Sequence, residues 1–251
     1  MSLLRPVIIL LVLVGLWQAV VWISGAPAYI LPGPARVALM LATRWPELLE
    51  HATLTLAEIL LGLALGTLLG MASALVIAWF RPARHWLMPV LVVSQAIPVF
   101  ALAPILVLWL GYGMASKVAM ATLIIYFPVT AAFFDGLRRT EPAWLDLART
   151  MGGSRLSILR HIRIPAALPA LTSGLRVATA VAPIGAVVGE WVGSSGGLGY
   201  LMLQANARMQ IDLMFAALFV LGVFAVGLYY AVDWALRRAL PWQADDSGRA
   251  D

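Results

Sequence analysis

The sequence predicts an all-α, polytopic membrane protein with six transmembrane helices in a single domain, residues 1–251. Three observations predict it. First, 62% of the 251 residues are hydrophobic and only 12% are charged, against about 45–50% and about 25% in soluble domains. Second, the apolar residues gather into six runs at 6–23, 54–80, 86–110, 116–137, 167–191 and 213–236. Each is long enough to cross a bilayer core, which takes about 20 residues of helix. Third, the basic residues outside the apolar cores are distributed unevenly. Arg5, Arg81, Arg84, Arg138, Arg139, Arg149, Arg155, Arg160, Arg163, Arg237 and Arg238 fall on one side, and Arg36, Arg44, Lys117 and Arg208 on the other. The positive-inside bias makes the first side cytoplasmic, with both termini inside.

The first run follows Arg5 as the core of a signal peptide would. It carries bulky Trp17 and Trp22, however, and no small-x-small site precedes Ser24, so a retained span is expected. In the outer stretch 24–53, Pro32-Gly33-Pro34 signals a turn. Pro34 can then open a short surface helix through Arg44. Gly62, Gly66 and Gly70 recur at four-residue spacing in the second run, a small-residue face suited to close helix packing. That face serves packing within the chain or contact with a second copy. Pro98, Pro104, Pro128 and Pro183 lie within runs and are expected to bend them, because each removes a backbone hydrogen bond. Such breaks are tolerated where protein or a water-filled cavity covers the backbone. The segment 94–104, with Gln95, Pro98 and Phe100, is therefore placed along the translocation path, with interhelical bonding as the alternative for Gln95. The glycine-rich stretch 193–199 lacks the Lys-Ser/Thr of a phosphate loop and reads as a turn or broken helix. The polar, acidic tail 241–251 is expected to lie outside the membrane-spanning domain.

The net charge of +5 is spread between apolar runs and is not gathered on a soluble module, which argues against a nucleic-acid partner. With no cysteine in the chain, disulfides and thiolate chemistry are excluded. His51, His85 and His161 are far apart in sequence, so no metal site is expected. Glu58, Asp135, Glu190 and Asp233 lie in or near the runs. Glu58 and Glu190 are expected near the outer ends, in contact with water. A proton-driven transporter would need an acid near the midplane, and none is evident.

The inner loop 138–166 is too patterned for a connector. Glu141-Pro142 starts a helix, with proline in the first turn and an acid at the positive end. Gly152-Gly153 ends it after Met151, and Ser154 can cap a second helix through His161. Pro165 and Pro169 are expected to limit that helix before the fifth span.

These residues resemble the permeases of binding-protein-dependent ATP-binding-cassette (ABC) importers. That family's loop reads Glu-Ala-Ala, three residues, Gly, nine residues, Ile, one residue, Leu-Pro. Here Asp146-Leu147-Ala148 precedes Gly152 by the same spacing, and Ile162-Arg163-Ile164-Pro165 follows in register. Asp146, Ile164 and above all Leu147 depart from the pattern in residue type. The resemblance covers about 53–238 and is nearest to the nitrate, sulfonate and taurine permeases. It implies a type I importer permease fold in a bacterial inner membrane, with two permease copies forming the pathway. It further implies a cytoplasmic ATPase dimer docked on the loop and a solute-binding protein outside. ATP and magnesium would belong to the ATPase, since this chain has no Walker motif, and the permease itself would be neither enzyme nor cofactor carrier. By the same resemblance Asp146, Leu147, Ala148, Arg149, Gly152, Ser154, Arg155, Ile162 and Pro165 form the coupling loop. Arg149, Arg155 and Arg160 would pair with partner acids or simply reflect positive-inside bias.

Segments beginning at Ser94, Tyr126 and Ala182 look most like permeases for hydroxymethylpyrimidine-type thiamine precursors. Gln95, Phe100, Tyr126 and Phe127 suit a small, flat, polar heterocycle, and equally a sulfonate or another vitamin-like ring. The spans carry no dense arginine ring, which leans away from an anion. Two rivals stand beside this reading. A secondary transporter would show inverted repeats and midplane charges, and an intramembrane enzyme would show a convergent catalytic set within the spans.

Overall fold

A computed structural model describes residues 4–241, without the side chains of 4–7, 10, 81, 92 and 94–96. Nearly all of it is helix, and there is no strand among the described residues. The helices are α1 (Leu4–Ser24), α2 (Pro34–Thr43), α3 (Trp45–Trp79), α4 (Arg81–Ala96), α5 (Val99–Leu110) and α6 (Met114–Arg138). Then follow α7 (Pro142–Thr150), α8 (Arg155–Ile158), a π turn (Leu159–Arg163), α9 (Ile164–Gly193), α10 (Leu198–Ala207) and α11 (Ile211–Ala239).

Four helices are long and apolar enough to cross a membrane: α3, α6, the continuous helix Arg155–Gly193, and α11. Shorter apolar helices stand where the first and third spans were expected. The third is broken rather than bent. Ile97 is extended (φ −81°, ψ 118°) before Pro98, which begins α5 as its N-cap. Proline disfavours helical conformation in the residue before it, and that rule governs here. Pro89, Pro104, Pro128, Pro169 and Pro183 sit inside continuous helices, so among these internal prolines none ends its element.

The second span starts earlier than its hydropathy implies. The turn expected at Pro32-Gly33-Pro34 and the helix from Pro34 both form, but α3 then begins at Trp45 with Pro46 in its first turn. Arg44 Nε donates to Glu47 Oε2 at 2.6 Å at this start. At 1.5 Å per residue, 35 residues span about 52 Å, well beyond a hydrocarbon core of about 30 Å.

The bundle is built on α6, which lies between α3 and α9. Small residues set these distances. A Cβ on Gly62 would lie 2.4 Å from Ala121 Cβ, one on Gly66 2.6 Å from Ile125 Cγ2, and one on Gly70 3.0 Å from Val129. The glycine face of α3 is thus occupied by α6 of the same chain. Across the other seam, a Cβ on Gly174 would lie 2.6 Å from Ala132 Cβ. Helices in a bilayer gain little from burying apolar surface against one another, so close backbone approach supplies the attraction. One core joins Ile59, Ile125, Phe133, Leu137 and Ala178 along these three helices. A second joins Val37 of α2, Leu48 and Ala52 of α3, Leu198 and Leu201 of α10, and Ala216 of α11. Trp17 of α1 stacks on Phe215 at this second core, ring centroids 5.9 Å apart. Large apolar side chains such as Leu11, Leu68, Leu108 and Val226 remain exposed on the outside of the bundle, as lipid contact requires.

Candidate functional site

The inner loop folds as its sequence reads as far as the start of α8. Glu141 stands at the N-cap position of α7 without a side-chain capping bond, and Pro142 occupies the first turn. The helix closes with two reverse bonds, Gly153 N–H to Ala148 C=O at 2.8 Å and Gly152 N–H to Arg149 C=O at 3.0 Å. This is the Schellman pattern, and it needs a left-handed residue. Gly152 supplies it with φ +75°. Nothing of the chain lies within 4 Å of a Cβ built on Gly152, so backbone conformation rather than crowding within the chain calls for glycine. Ser154 Oγ then accepts from Ser157 N–H at 3.2 Å and caps α8.

The expected stop at Pro165 does not occur. The helix passes through the π turn and runs on to Gly193 as one 39-residue rod. A π turn shifts the hydrogen-bond register by one residue, and Pro165, in the first turn of α9, has no N–H to satisfy. The consequence is mechanical: the second half of the loop is a rigid extension of the fifth span.

Two arginines brace the loop to the bundle. Arg163 donates from Nε and Nη2 to the Leu137 carbonyl at 3.1 and 2.8 Å, at the end of α6. Arg155 donates to the Trp79 carbonyl at the end of α3 and stacks over the Trp79 ring, 4.5 Å from its centroid. Cations are favoured at helix C-termini, where carbonyls lack partners. Arg155 is thus engaged by its own chain at the bundle, whereas Arg149 pairs with neighbouring Asp146, at 2.8 Å on an exposed surface. The outer face of α7 is apolar. Trp144, Leu147 and Met151 are each more than half exposed. With Ala148, His161, Ile162 and Pro165 they line a groove of about 480 Å³.

At the other end of the bundle lies a buried polar cluster. The turn 193–199 is an ordered helix break, and α10 starts inside it. All four N–H groups at that start are satisfied by side chains from elsewhere. Gly197 N–H donates to His51 Nδ1 at 3.0 Å, Leu198 N–H to Thr55 Oγ1 at 2.8 Å, and Gly199 and Tyr200 N–H to Glu190 Oε2, the latter at 3.3 Å. Thr55 Oγ1 donates to Glu190 Oε1 at 2.6 Å. Gly197 takes φ +106°, and a Cβ there would lie 2.2 Å from the Glu190 carboxyl. Glycine is required because the turn wraps the carboxylate. Nearby, Lys117 Nζ lies 3.1 Å from Glu58 Oε1, with both side chains nearly fully buried. The pair is close but not aligned as a hydrogen bond, and Glu58 Oε2 also lacks a hydrogen-bond partner among the described residues. The expectation that Glu58 and Glu190 are solvated is therefore corrected: they are 0% and 1% exposed.

The profile of the family described as "binding-protein-dependent transport system inner membrane component" matches residues 66–242. The chain belongs to this family. The permease is 58% identical over 236 residues to a probable ABC transporter permease protein of Haemophilus influenzae, covering 94% of this chain and 96% of the relative. It is 36% identical to a formylaminopyrimidine transport permease protein of Halalkalibacterium halodurans, covering 96% of each. It is 38% identical to a riboflavin transport system permease protein of Chloroflexus aurantiacus, covering 95% and 90%. Among solved structures, an inward-facing methionine ABC transporter, MetNI, superposes with a TM-score of 0.68 at 18% identity, over 78% of this chain and 97% of the other, which establishes the fold. The permease is thus a multi-pass inner-membrane component of an ABC import system.

The residues expected along the path lie in α4, at the α4–α5 break and on α6. Pro98 and Phe100 lie at the α4–α5 break, with Phe100 66% exposed. Tyr126 and Phe127 of α6 pack against the main core, and Tyr126 OH donates to Ser73 Oγ at 2.9 Å. The Gln95 side chain lies outside the described residues, as does the tail after Pro241. Sequence reasoning missed Arg176, which is half-buried in α9. It donates to Asp233 Oδ1 at 2.6 Å, and Arg237 donates to the other oxygen at 2.9 Å. A lone arginine inside an apolar run, with one acid in another run, was the available signal.

Proposed function

We propose that two copies of this permease form a pathway for a small heteroaromatic solute of the pyrimidine thiamine-precursor class, delivered by an external binding protein. A cytoplasmic ATPase dimer docks on the apolar face of α7, hydrolyses the ATP, and moves the spans through the inner loop. The observation that carries the coupling role is the loop's construction: an exposed Trp144–Leu147–Met151 face on α7, joined by the Gly152-Gly153 turn to a second half that is braced by Arg155 and Arg163 and continuous with α9. Movement imposed on that face passes through the hydrogen-bonded Gly152-Gly153 turn into the second half of the loop and the fifth span, which suits rigid-body alternating access. The substrate class rests on the 36% identical formylaminopyrimidine permease. The riboflavin permease at 38% supports the wider class of flat, polar heterocycles. Sulfonate, taurine or nitrate is the alternative. Both termini are cytoplasmic in this reading.

The test measures solute binding by the partner binding protein, with uptake in cells lacking the permease. Aminopyrimidines should bind and be taken up, and uptake should be lost with Leu147→Asp while the protein still inserts. Binding of taurine or nitrate with no response to aminopyrimidines refutes the substrate class. Normal uptake and ATPase co-purification by Leu147→Asp refute the coupling face. A cysteine at exposed Met151 should resist an impermeant thiol reagent in intact cells, and labelling before lysis refutes the orientation.

A further inference from the structure

A second cavity lies on the opposite side of α7 from the apolar groove. It measures about 820 Å³ and is lined by Arg84, Arg138, Arg149, Arg155 and Arg163, with no carboxylate lining it among the described residues. Three of the five arginines are engaged: Arg149 with Asp146, Arg155 with Trp79, and Arg163 with Leu137. Arg84 and Arg138 are different. They flank the Phe134 ring, 5.8 and 5.6 Å from its centroid, and no carboxylate pairs with either among the described residues. Five guanidinium groups around one cavity repel one another, and an anion in the cavity would relieve that repulsion.

The remaining walls identify the kind of anion. Ile77, Phe80, Pro82 and Ile158 line the same cavity and make it amphipathic. Trp79 and Phe80 end the long apolar helix α3, Phe80 is 54% exposed, and Trp86 in α4 is 79% exposed. Aromatic residues at the ends of membrane helices mark the headgroup level. The cavity therefore opens at the depth where lipid phosphates lie, with apolar walls beside it. Basic pockets between membrane helices on the inner side are a recurrent solution for anionic headgroups.

We propose that this pocket binds the anionic headgroup of a membrane phospholipid, such as phosphatidylglycerol. Its walls come from α3, α4 and α6 on one side and from the inner loop on the other. The bound headgroup adds an ionic brace between loop and bundle, alongside those of Arg155 and Arg163. This goes beyond the transport reading and is independent of the transported solute.

The experiment titrates full-length permease in neutral detergent with phosphatidylglycerol or phosphatidylcholine, and counts bound lipid by native mass spectrometry. Phosphatidylglycerol should be retained in preference to phosphatidylcholine. Arg84→Gln with Arg138→Gln should weaken it about 25-fold, at about fivefold per arginine near the headgroup. The double lysine variant should keep most of the affinity. Both arginines are exposed, so folding is not expected to depend on them. Equal retention of the two lipids, or unchanged binding in the double glutamine variant, overturns the proposal. Displacement of the lipid by an equal concentration of inorganic phosphate would assign the pocket to a soluble anion and overturn the lipid. Release of the lipid when the ATPase binds would assign it to an acidic segment of that partner and likewise overturn it.

Discussion

Glu190 holds the start of α10, and its removal should be costly for reasons that can be worked bond by bond. In Glu190→Ala, the N–H groups of Gly199 and Tyr200 lose their only side-chain acceptor. Thr55 is not stranded, because its hydroxyl also reaches the His51 carbonyl at 3.2 Å. A buried donor left unsatisfied costs about 1–3 kcal/mol, and the 3.3 Å bond to Tyr200 is the weaker of the two. The sum is about 3 kcal/mol. For a chain of this length that corresponds to a fall in Tm of about 10 °C. Glu190→Gln keeps one oxygen for the helix N–H groups and lets the amide donate to Thr55. It exchanges one acceptor oxygen for an amide donor, a smaller loss of about 1 kcal/mol, or a few degrees. Thermal unfolding of the purified permease, followed by intrinsic fluorescence, should rank wild type above Gln above Ala. Gly197→Ala should also destabilise, by clash with the carboxyl and by its left-handed φ. Part of that loss should return when combined with Glu190→Ala, which removes the clashing group. An alanine variant as stable as wild type, or a glutamine variant as damaged as the alanine one, would refute the capping role.

Glu58→Ala leaves Lys117 buried without its ion partner and should cost about 3–5 kcal/mol, whereas replacing both by apolar residues of similar volume should recover most of the loss. Unfolding of the single and double variants checks this. Gly62→Ala puts a methyl 2.4 Å from Ala121 Cβ and should cost about 1–3 kcal/mol by overpacking. Gly222→Ala, with nothing within 4 Å, should be neutral or stabilising in the same assay. Gly152→Val forces a β-branched residue into left-handed backbone at a cost of about 1–2 kcal/mol. It should reduce ATPase co-purification, and Gly152→Asn should retain more of it than Gly152→Val.

Much of this protein is legible in the order of its residues, because the signals are local. Apolar runs and arginine asymmetry mark the spans, and Glu141-Pro142, Gly152-Gly153 and Ser154 mark α7 and the start of α8 through groups only a few residues apart. The tertiary structure decided everything that depends on a distant partner. Glu190 reads as an acid near a span end until Thr55, 135 positions away, and the N-terminus of α10 surround it. Glu58 and Lys117 look like water-facing charges until α3 and α6 bury them together. Arg176 shows in the sequence only as a lone arginine in an apolar run, and its partner Asp233 is named only by the packing of α9 beside α11. The prolines show both regimes. Pro98 breaks its helix by a rule reaching one residue back, whereas Pro165 is absorbed in a register shift within a longer rod. Hydropathy and turn chemistry are properties of neighbours in sequence. A buried charge is fixed by whatever the bundle places against it, and that depends on how closely its glycines let the helices approach.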